Sequence, residues 1–220
     1  MNKILKIEDK YIFLKGKNKI VTPNGNLLKV NKRKHAKLII KEIENKERLK
    51  DPYSVINLTF FSCNLQYDDK EEIKKKILEL LKFDLVLYRC FQEEDLIKIM
   101  NKKFNSYIRD FGKKFKLKIH LLNSLIDVNK YDETEFKKFL DSFNSFNLTI
   151  FFKSASLTKS VILTYFFLMK KINYNSLYKL TNIEYNFQQR KWGVVLEQKE
   201  SEKIFFEAIK NISFFYKNIN

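Results

Sequence analysis

Glu184, Gln188 and Trp192 are the residues of this chain whose types and spacing best suit a chemical task. They lie in the run IEYNFQQRKWG, from Ile183 to Gly193, and on a helix their four-residue spacing places them on one face. A carboxylate, an amide and an indole in a row favour a recognition surface, because an unpaired carboxylate beside an apolar stripe is costly. The alternative is an amphipathic core helix that ends at Gly193 as its C-cap. That helix would carry an apolar stripe at Leu177, Leu180, Ile183 and Phe187.

A second group of candidates lies in FDLVLYRC, from Phe83 to Cys90. We expect Asp84 to cap a short helix, with Tyr88 four residues later and Arg89 available to pair with a carboxylate. The alternative is a buried element whose two ends are tied by Asp84 and Arg89. If the fold brings the two charges together, Arg89 and Glu184 are expected to satisfy one another.

Familiar catalytic and metal-binding patterns are missing from the sequence. His35 and His120 are the only histidines, and neither has metal-ligand or triad-like neighbours. There is no GxSxG, HExxH, Walker loop or dinucleotide fingerprint. We therefore predict no catalytic residue, no cofactor and no metal ligand. A carboxylate-dependent enzyme that uses Glu184 and Asp84 is an alternative, and it would need a concave pocket around both groups.

The chain is strongly basic, with a formal net charge of +17. Its lysines are scattered from end to end, and it has no dense arginine cluster that could make bidentate contacts to phosphates or bases. The charge is therefore best explained as a solvated surface. A basic RNA- or ribosome-associated binding protein is the alternative that the charge and the many aromatic residues suggest.

The cysteines and the first residues indicate a reducing compartment. Cys63 and Cys90 are isolated, without CxxC spacing, and are expected to be small buried residues. The first residues, MNKILKIEDKYIF, resemble neither a secretory signal nor a mitochondrial presequence, so a bacterial cytoplasm is expected rather than a mitochondrial matrix. The apolar stretch Leu148–Met169 is broken by Lys153 and Lys159 and is expected to be a buried helical hairpin or a long core helix, not a membrane span.

The elements that must position these candidates begin with β structure. Short β-prone runs are expected to form a small sheet; they are Ile4–Ile7, Tyr11–Leu14, Ile20–Thr22 and Leu27–Val30. Thr22-Pro23-Asn24-Gly25-Asn26 predicts the turn before the last of them. The apolar spacing in Lys34–Lys46 predicts a helix, and Ser54–Leu65 is expected to be a strand or an irregular buried segment.

The remainder is expected to be mainly helical. Asp69 is the candidate N-cap of one helix, and Gly112 the C-cap of another that begins near Glu93. Strict alternation from Phe115 to Leu121 predicts a strand, residues 115–122, which would return to the N-terminal sheet. Three further helices are expected: one carrying Phe136, Phe139, Leu140 and Phe143, one over Asn175–Trp192, and one capped by Ser201. The sequence thus predicts an α+β fold with a β-rich domain over residues 1–68 and a larger helical domain over residues 69–220.

With these motifs in this order, the chain resembles the assembly chaperones that bind the alpha subunit of the F-type ATP synthase catalytic head in mitochondria and alphaproteobacteria. The resemblance runs from about Tyr11 to beyond Gly193. The similar segments are YIFLKGKNKIVTPNGNLLKV, Lys34–Glu44 with its acidic Glu42, Leu58-Thr59, FDLVLYR, Thr158 with Ser160, and IEYNFQQRKWG. The chain departs from the family pattern at Phe83, Lys159 and Tyr185, where threonine, glycine and an acidic residue are usual.

The resemblance implies a monomeric chaperone without catalytic activity or cofactor. Its client would be the free alpha subunit, whose beta-facing apolar surface it would cap until a beta subunit displaces it. The residues that carry over are Glu184, Gln188, Trp192, Gly193, Asp84, Tyr88 and Arg89. Among them, Trp192 is the expected anchor and Glu184 the expected specificity charge.

Overall fold

The computed structural model describes residues 2–89, 91–124, 126–193 and 196–219. The chain divides into two compact units. The first is the described part of Met1–Glu71, Phe143–Ile150 and Lys210–Asn220, and the second is the described part of Glu72–Ser142 and Phe151–Ile209. The first unit contains a small antiparallel sheet and the second is built from helices, which confirms the predicted α+β class.

The sheet of the first unit has four strands: β1 (Asn2–Ile7), β2 (Lys10–Lys15), β3 (Asn18–Lys19) and β4 (Lys29–Val30). Strand β2 is central, because it pairs antiparallel with each of the other three. Its Ile12 and Phe13 are both buried. Strands β1, β2 and β4 overlap three of the four predicted runs, although β4 is shorter than expected. The third prediction, Ile20–Thr22, is wrong: β3 lies earlier, at Asn18–Lys19, and Val21 makes only an isolated bridge with Leu27.

The predicted turn after the third strand is also confirmed. The Thr22 N–H donates to the Asn26 carbonyl over 2.7 Å, and the Gly25 N–H donates to the Thr22 carbonyl over 2.9 Å. Gly25 has φ +81°, a conformation that strains most residues with a side chain. The turn allows Val21 and Leu27 to meet in an antiparallel bridge.

Three helices complete the first part of this unit: α1 (Arg33–Glu42), α2 (Lys46–Lys50) and α3 (Val55–Asn64). The expectation of a strand or irregular segment over Ser54–Leu65 is wrong. The Ser54 side chain caps α3 by accepting from the Asn57 N–H. Apolar residues occur on most sides of α3, so its sequence has no helical period, and such a run cannot be told from a buried strand.

His35, on α1, belongs to the core of the first unit. Its Nε2 lies 2.8 Å from the Thr59 hydroxyl, which itself donates to the Val55 carbonyl over 2.6 Å. The Thr59 hydrogen is thus already used, so Nε2 is the donor. The ring also meets Phe146 and Phe215 edge to face. Burial lowers the pKa of His35 to about 4, and the residue is neutral and structural.

The remaining helices, five of them wholly inside the second unit, follow in chain order. Their bounds are α4 (Tyr67–Lys82), α5 (Glu94–Phe115), α6 (Thr134–Asp141), α7 (Ser145–Thr158), α8 (Val161–Leu168), α9 (Tyr174–Thr181), α10 (Ile183–Trp192) and α11 (Leu196–Ile219). A short 3-10 helix, Leu85–Leu87, lies between α4 and α5. The core of the second unit includes a cluster of aromatic rings from Phe111, Phe115, Phe136, Phe139 and Tyr165.

The predicted strand over residues 115–122 is wrong. Helix α5 continues to Phe115, and Lys116 then takes a left-handed φ of +55°. The chain turns back so closely that a Cβ on Gly112 would lie 2.9 Å from the Leu117 carbonyl oxygen. Gly112 is therefore needed for this close approach inside the helix, not as its C-cap. Leu122 makes only an isolated parallel bridge with Tyr88.

Other helix boundaries differ from the predictions. The Leu148–Met169 stretch is divided between α7 and α8, because Lys159 takes φ +55° and the Ser160 side chain caps α8, so the alternative of one long core helix is wrong. The expected helix over Asn175–Trp192 is broken at Asn182 into α9 and α10. Helix α4 begins at Tyr67 and not after the predicted cap Asp69. Helix α6 ends at Asp141, before the predicted Phe143, and α11 begins at Leu196, before the predicted cap Ser201.

Within the described residues, no helix combines the length and the apolar character that crossing a membrane requires.

Candidate functional site

Asp84 is buried and links two distant segments of the second unit. Its side chain is 0 % exposed, with Oδ1 accepting from the Val86 N–H over 3.1 Å and Oδ2 from the Ile162 N–H over 2.9 Å. The predicted cap of a short helix is thus confirmed, and the same carboxylate also caps α8. Burial raises the pKa of Asp84 to about 6, although hydrogen bonds from Ile162, Ser160, Val86 and Val161 act in the opposite direction.

Arg89 ends the same segment and is also buried, at 6 % exposure. Its Nη1 donates to the Val86 and Tyr88 carbonyls over 2.8 and 2.7 Å, and its Nε donates to Asn101 Oδ1 over 2.8 Å. Burial lowers the pKa of Arg89 to about 10. Among the described ion pairs none includes Arg89, so the expected pairing with Glu184 is wrong. The guanidinium is satisfied by carbonyl and amide oxygens instead.

Tyr88, the third candidate of this segment, is half-buried and holds the chain that follows α5. Its bridge to Leu122 is flanked by a 2.7 Å bond from the Arg89 N–H to the Leu122 carbonyl and a 2.9 Å bond from the Leu122 N–H to the Leu87 carbonyl. Cys90, the last residue of the predicted motif, lies outside the described residues. The other cysteine, Cys63, was expected to be buried but is only half-buried. The segment as a whole supports the alternative of a buried, tied element.

Helix α10 places the other candidates in a different environment. No residue of this helix is buried. Gln188 Nε2 donates to Glu184 Oε1 over 3.1 Å, which confirms that the two side chains share one face. Partial burial raises the pKa of Glu184, and the bond from Gln188 opposes that shift. Gly193 has φ +87° and its N–H donates to the Gln189 carbonyl, so the predicted C-cap is confirmed.

Trp192 is largely exposed, at 66 % of its surface. Lys191 lies over its ring, with Nζ 5.3 Å from the centroid, and also pairs with Glu93 over 2.7 Å. The cation thus ties the end of α10 to the residue before α5 and orients the indole beside it. A large aromatic side chain held at the surface of an ordered helix is suited to enter a pocket on another molecule.

The alternative of an amphipathic core helix is wrong for α10. The break at Asn182 divides the predicted apolar stripe, leaving Leu177 buried in α9 while Ile183 and Phe187 are only half-buried in α10. The carboxylate-enzyme alternative also loses support, because a fully buried Asp84 has no surface to meet a substrate. Among the described residues, no cluster of three or more His, Cys, Asp or Glu could hold a metal ion.

Two grooves beside α10 were not found by sequence reasoning. One, of about 410 Å³, is lined by Tyr185, Glu197, Glu202 and Phe205 among others. The other, of about 520 Å³, combines α10 with cations from α5 and α9. No local sequence signal indicates either groove, because the lining residues come from separate helices and meet only through the fold.

Comparison with known proteins gives consistent results. Residues 4–112, about half of the chain, match a family described as ATP12 chaperone protein. The chain is 23 % identical over 216 residues to the mitochondrial protein atp12 of Schizosaccharomyces pombe, a match that covers 91 % of this chain and 73 % of the relative.

Two solved structures share the fold over 100 % of this chain. Atp12 from Paracoccus denitrificans has a TM-score of 0.84 at 17 % identity, with 96 % of that chain covered. The Atu1473 protein from Agrobacterium tumefaciens has a TM-score of 0.86 at 15 % identity, with 84 % covered. Since the sequence motifs, the family match and the fold agree, this chain belongs to the ATP12 family of chaperones for ATP synthase assembly.

Proposed function

We infer that the client of this chaperone is the free alpha subunit of the F-type ATP synthase catalytic head, and that α10 contacts it. The observation that carries this inference is Trp192, an indole that is 66 % exposed on a helix with no buried residue, in a chain of this chaperone family. An exposed large aromatic residue on an ordered helix serves no core and is suited to anchor a partner.

The mechanism is capping by mass action. A newly made alpha subunit exposes an apolar surface that later pairs with beta subunits and that promotes aggregation until it is covered. Trp192 would enter this surface, while the bonded Glu184 and Gln188 would give polar specificity at its edge. A beta subunit then displaces the chaperone by competing for the same surface, so no nucleotide hydrolysis and no catalytic group are needed.

The two motifs have separate tasks in this mechanism. Asp84, Tyr88 and Arg89 hold the second unit together from inside, and Gly193 ends α10 so that Trp192 lies at its last turn. Glu184, Gln188 and Trp192 are then the members that meet the client. We expect one chaperone monomer to bind one alpha subunit in a bacterial cytoplasm.

The direct test is co-expression with the cognate alpha subunit alone, followed by size-exclusion chromatography at moderate salt. We expect a soluble one-to-one complex that dissociates when beta subunit is added. Alpha subunit that still aggregates, while this protein elutes alone or with nucleic acid, would contradict the inference.

The net charge of +17 favours one second candidate, a basic RNA- or ribosome-associated protein. Ionic strength separates the two functions. Affinity for a polyanion falls steeply as salt increases, because bound counterions are released, whereas capping of an apolar surface changes only mildly. Binding measured at 0.05 and 0.3 M salt therefore distinguishes them.

A further inference from the structure

The larger groove beside α10 is a cluster of unpaired positive charges, and we call it the basic groove. It has a volume of about 520 Å³ and lies within the second unit. Its lining residues are Ile99 and Lys103 from α5, Lys179 from α9, and Ile183, Asn186, Gln189 and Arg190 from α10. Three of these seven residues are cations, and none is a carboxylate or an aromatic residue.

The cations of the basic groove differ from their neighbours on the same helices. On α5, Lys98 pairs with Glu94 and Asp95, and Lys191 on α10 pairs with Glu93. In contrast, no ion pair of Lys103, Lys179 or Arg190 occurs among the described residues. Arg190 uses only its Nε, which donates to the Asn186 carbonyl of its own helix over 3.1 Å. The groove therefore gathers positive charge that no carboxylate in the described part of the chain neutralises.

The basic groove also contains a hydrogen-bond donor without an acceptor. Gln189 Nε2 is buried, and it has no hydrogen-bond partner within the described part of the chain. A buried donor without an acceptor is energetically unfavourable, and an oxygen atom of a bound ligand would remove this penalty. Ile99 and Ile183 are half-buried in the same groove and offer aliphatic surface beside the charges.

We propose that the basic groove binds an acidic segment of the client, in which carboxylates flank an aliphatic side chain. This extends the proposed function, on which it rests. Carboxylates would pair with Lys103, Lys179 and Arg190, one oxygen would accept from Gln189, and the aliphatic group would lie against the isoleucines. An acidic peptide fits better than single-stranded nucleic acid, because none of the described lining residues of the groove is aromatic and could stack on a base.

The groove contacts are separable from those of Trp192. The α10 residues in the groove lie roughly half a helical turn away from the face of Glu184, Gln188 and Trp192, at about 100° per residue. The client segment would thus bind on the opposite side of the helix, and changes on the two sides are expected to add.

The first test is the double variant Lys103→Glu/Lys179→Glu, measured by isothermal titration calorimetry with the cognate alpha subunit. Both lysines are exposed, so the variant is expected to fold normally, which circular dichroism checks. We expect a roughly tenfold loss of affinity at 0.15 M salt and a weaker salt dependence than that of the unmodified protein. The matched control is Lys6→Glu/Lys17→Glu, two exposed lysines of the first unit, which changes the net charge equally and should leave affinity within about twofold.

The second test identifies the chemistry of the bound group. A carbodiimide joins a lysine amine to a carboxylate as an amide, so treatment of the complex followed by mass spectrometry maps lysines that touch acidic residues of the client. We expect crosslinks from Lys103 and Lys179 to one acidic segment of the alpha subunit.

The outcomes separate this inference from the proposed function. If the unmodified protein does not bind alpha subunit, the proposed function fails. If it binds, but the groove variant binds as tightly as the control and no groove crosslink forms, only the acidic-segment inference is overturned. Loss of oligonucleotide binding by the groove variant, with alpha binding intact, would also overturn it and assign the groove to nucleic acid.

Discussion

In the segment from Asp84 to Arg89 both charged side chains are buried and hydrogen-bonded, whereas α10 has no buried residue and ends in a largely exposed indole. Both regions carry motifs that resemble the same chaperone family, and the motifs alone do not distinguish their tasks. The burial of their side chains distinguishes the two regions. A side chain without exposed surface can act only by stabilising the fold, whereas an exposed aromatic side chain can contact a partner. Substitutions in the first region should therefore lower stability, and substitutions on α10 should lower affinity for the client.

The largest expected effect is on stability, from Asp84→Ala. This change leaves the Val86 and Ile162 N–H groups without their acceptor inside the second unit and creates a cavity. We expect the free energy of unfolding to fall by about 3 kcal/mol, measured by urea denaturation at pH 7. The exposed Asp9→Ala is the control and should change it by less than about 0.5 kcal/mol. A stable Asp84→Ala protein that fails to bind the client would reverse the assignment of this segment.

Trp192→Ala should weaken client binding and leave stability almost unchanged, which is the reverse of the effect expected for Asp84→Ala. Truncation of an aromatic anchor at an interface costs about 2 kcal/mol or more, which is roughly a 30-fold loss of affinity for the alpha subunit. Stability should change little, because two thirds of the side chain already lies in solvent. Isothermal titration calorimetry measures the affinity, and urea denaturation measures the stability. Ile204→Ala on α11, which removes an equally exposed apolar side chain, is the control that should retain affinity.

Asp84 and His35 should also respond to acid in opposite directions. The pKa of His35 is lowered from 6.5 to about 4 in the folded state, so below pH 6.5 only the unfolded chain binds the proton and stability falls. Between pH 7 and 5 this loss amounts to about 2 kcal/mol. His35→Gln should remove the loss from unfolding curves measured across that range, even if its stability at pH 7 is lower. An unchanged pH dependence would contradict a buried neutral imidazole.

For Asp84, the effect of acid on stability has the opposite sign. Its pKa rises from 3.8 to about 6 on folding, so the folded state binds the proton more tightly and acid increases its contribution to stability. As pH falls from 7 to 5, we expect a gain of about 1 kcal/mol that is lost in Asp84→Ala. Unfolding curves of this variant, compared with the unmodified protein at both pH values, measure the difference.

Glu184→Gln is expected to have the smallest effect. The glutamine can still bond to Gln188 but has lost the charge, so affinity for the alpha subunit should fall roughly threefold to tenfold without a change in unfolding. A variant that protects the client as well as the unmodified protein does would remove Glu184 from the binding surface.

The sequence could predict those structural features that depend on a few residues close together in the chain. The turn at Gly25 and the cap at Asp84 each depend on a few neighbouring residues, and both were predicted. The shared face of Glu184 and Gln188 follows from helical spacing alone. Long-range causes were missed: α3 is apolar on most sides, and Gly112 is required by the later return of Leu117.

The candidate site shows the same limit. The sequence indicated α10 and its polar face, but it could not show that Asn182 breaks the helix and leaves α10 without a buried residue. Nor could it indicate the basic groove, because Lys103, Lys179 and Arg190 are separated along the chain and meet only in the folded second unit.

The most direct measurement uses the fact that Trp192 is the only tryptophan of the chain. Protein labelled with 5-fluorotryptophan gives a single fluorine resonance, which can be followed as unlabelled alpha subunit is added. We predict that the resonance shifts on complex formation and that its H₂O-to-D₂O solvent shift, large for the free protein, nearly disappears as the indole becomes covered. A complex that forms while the resonance keeps its position and its solvent shift would contradict the assignment of α10 as the client-binding surface.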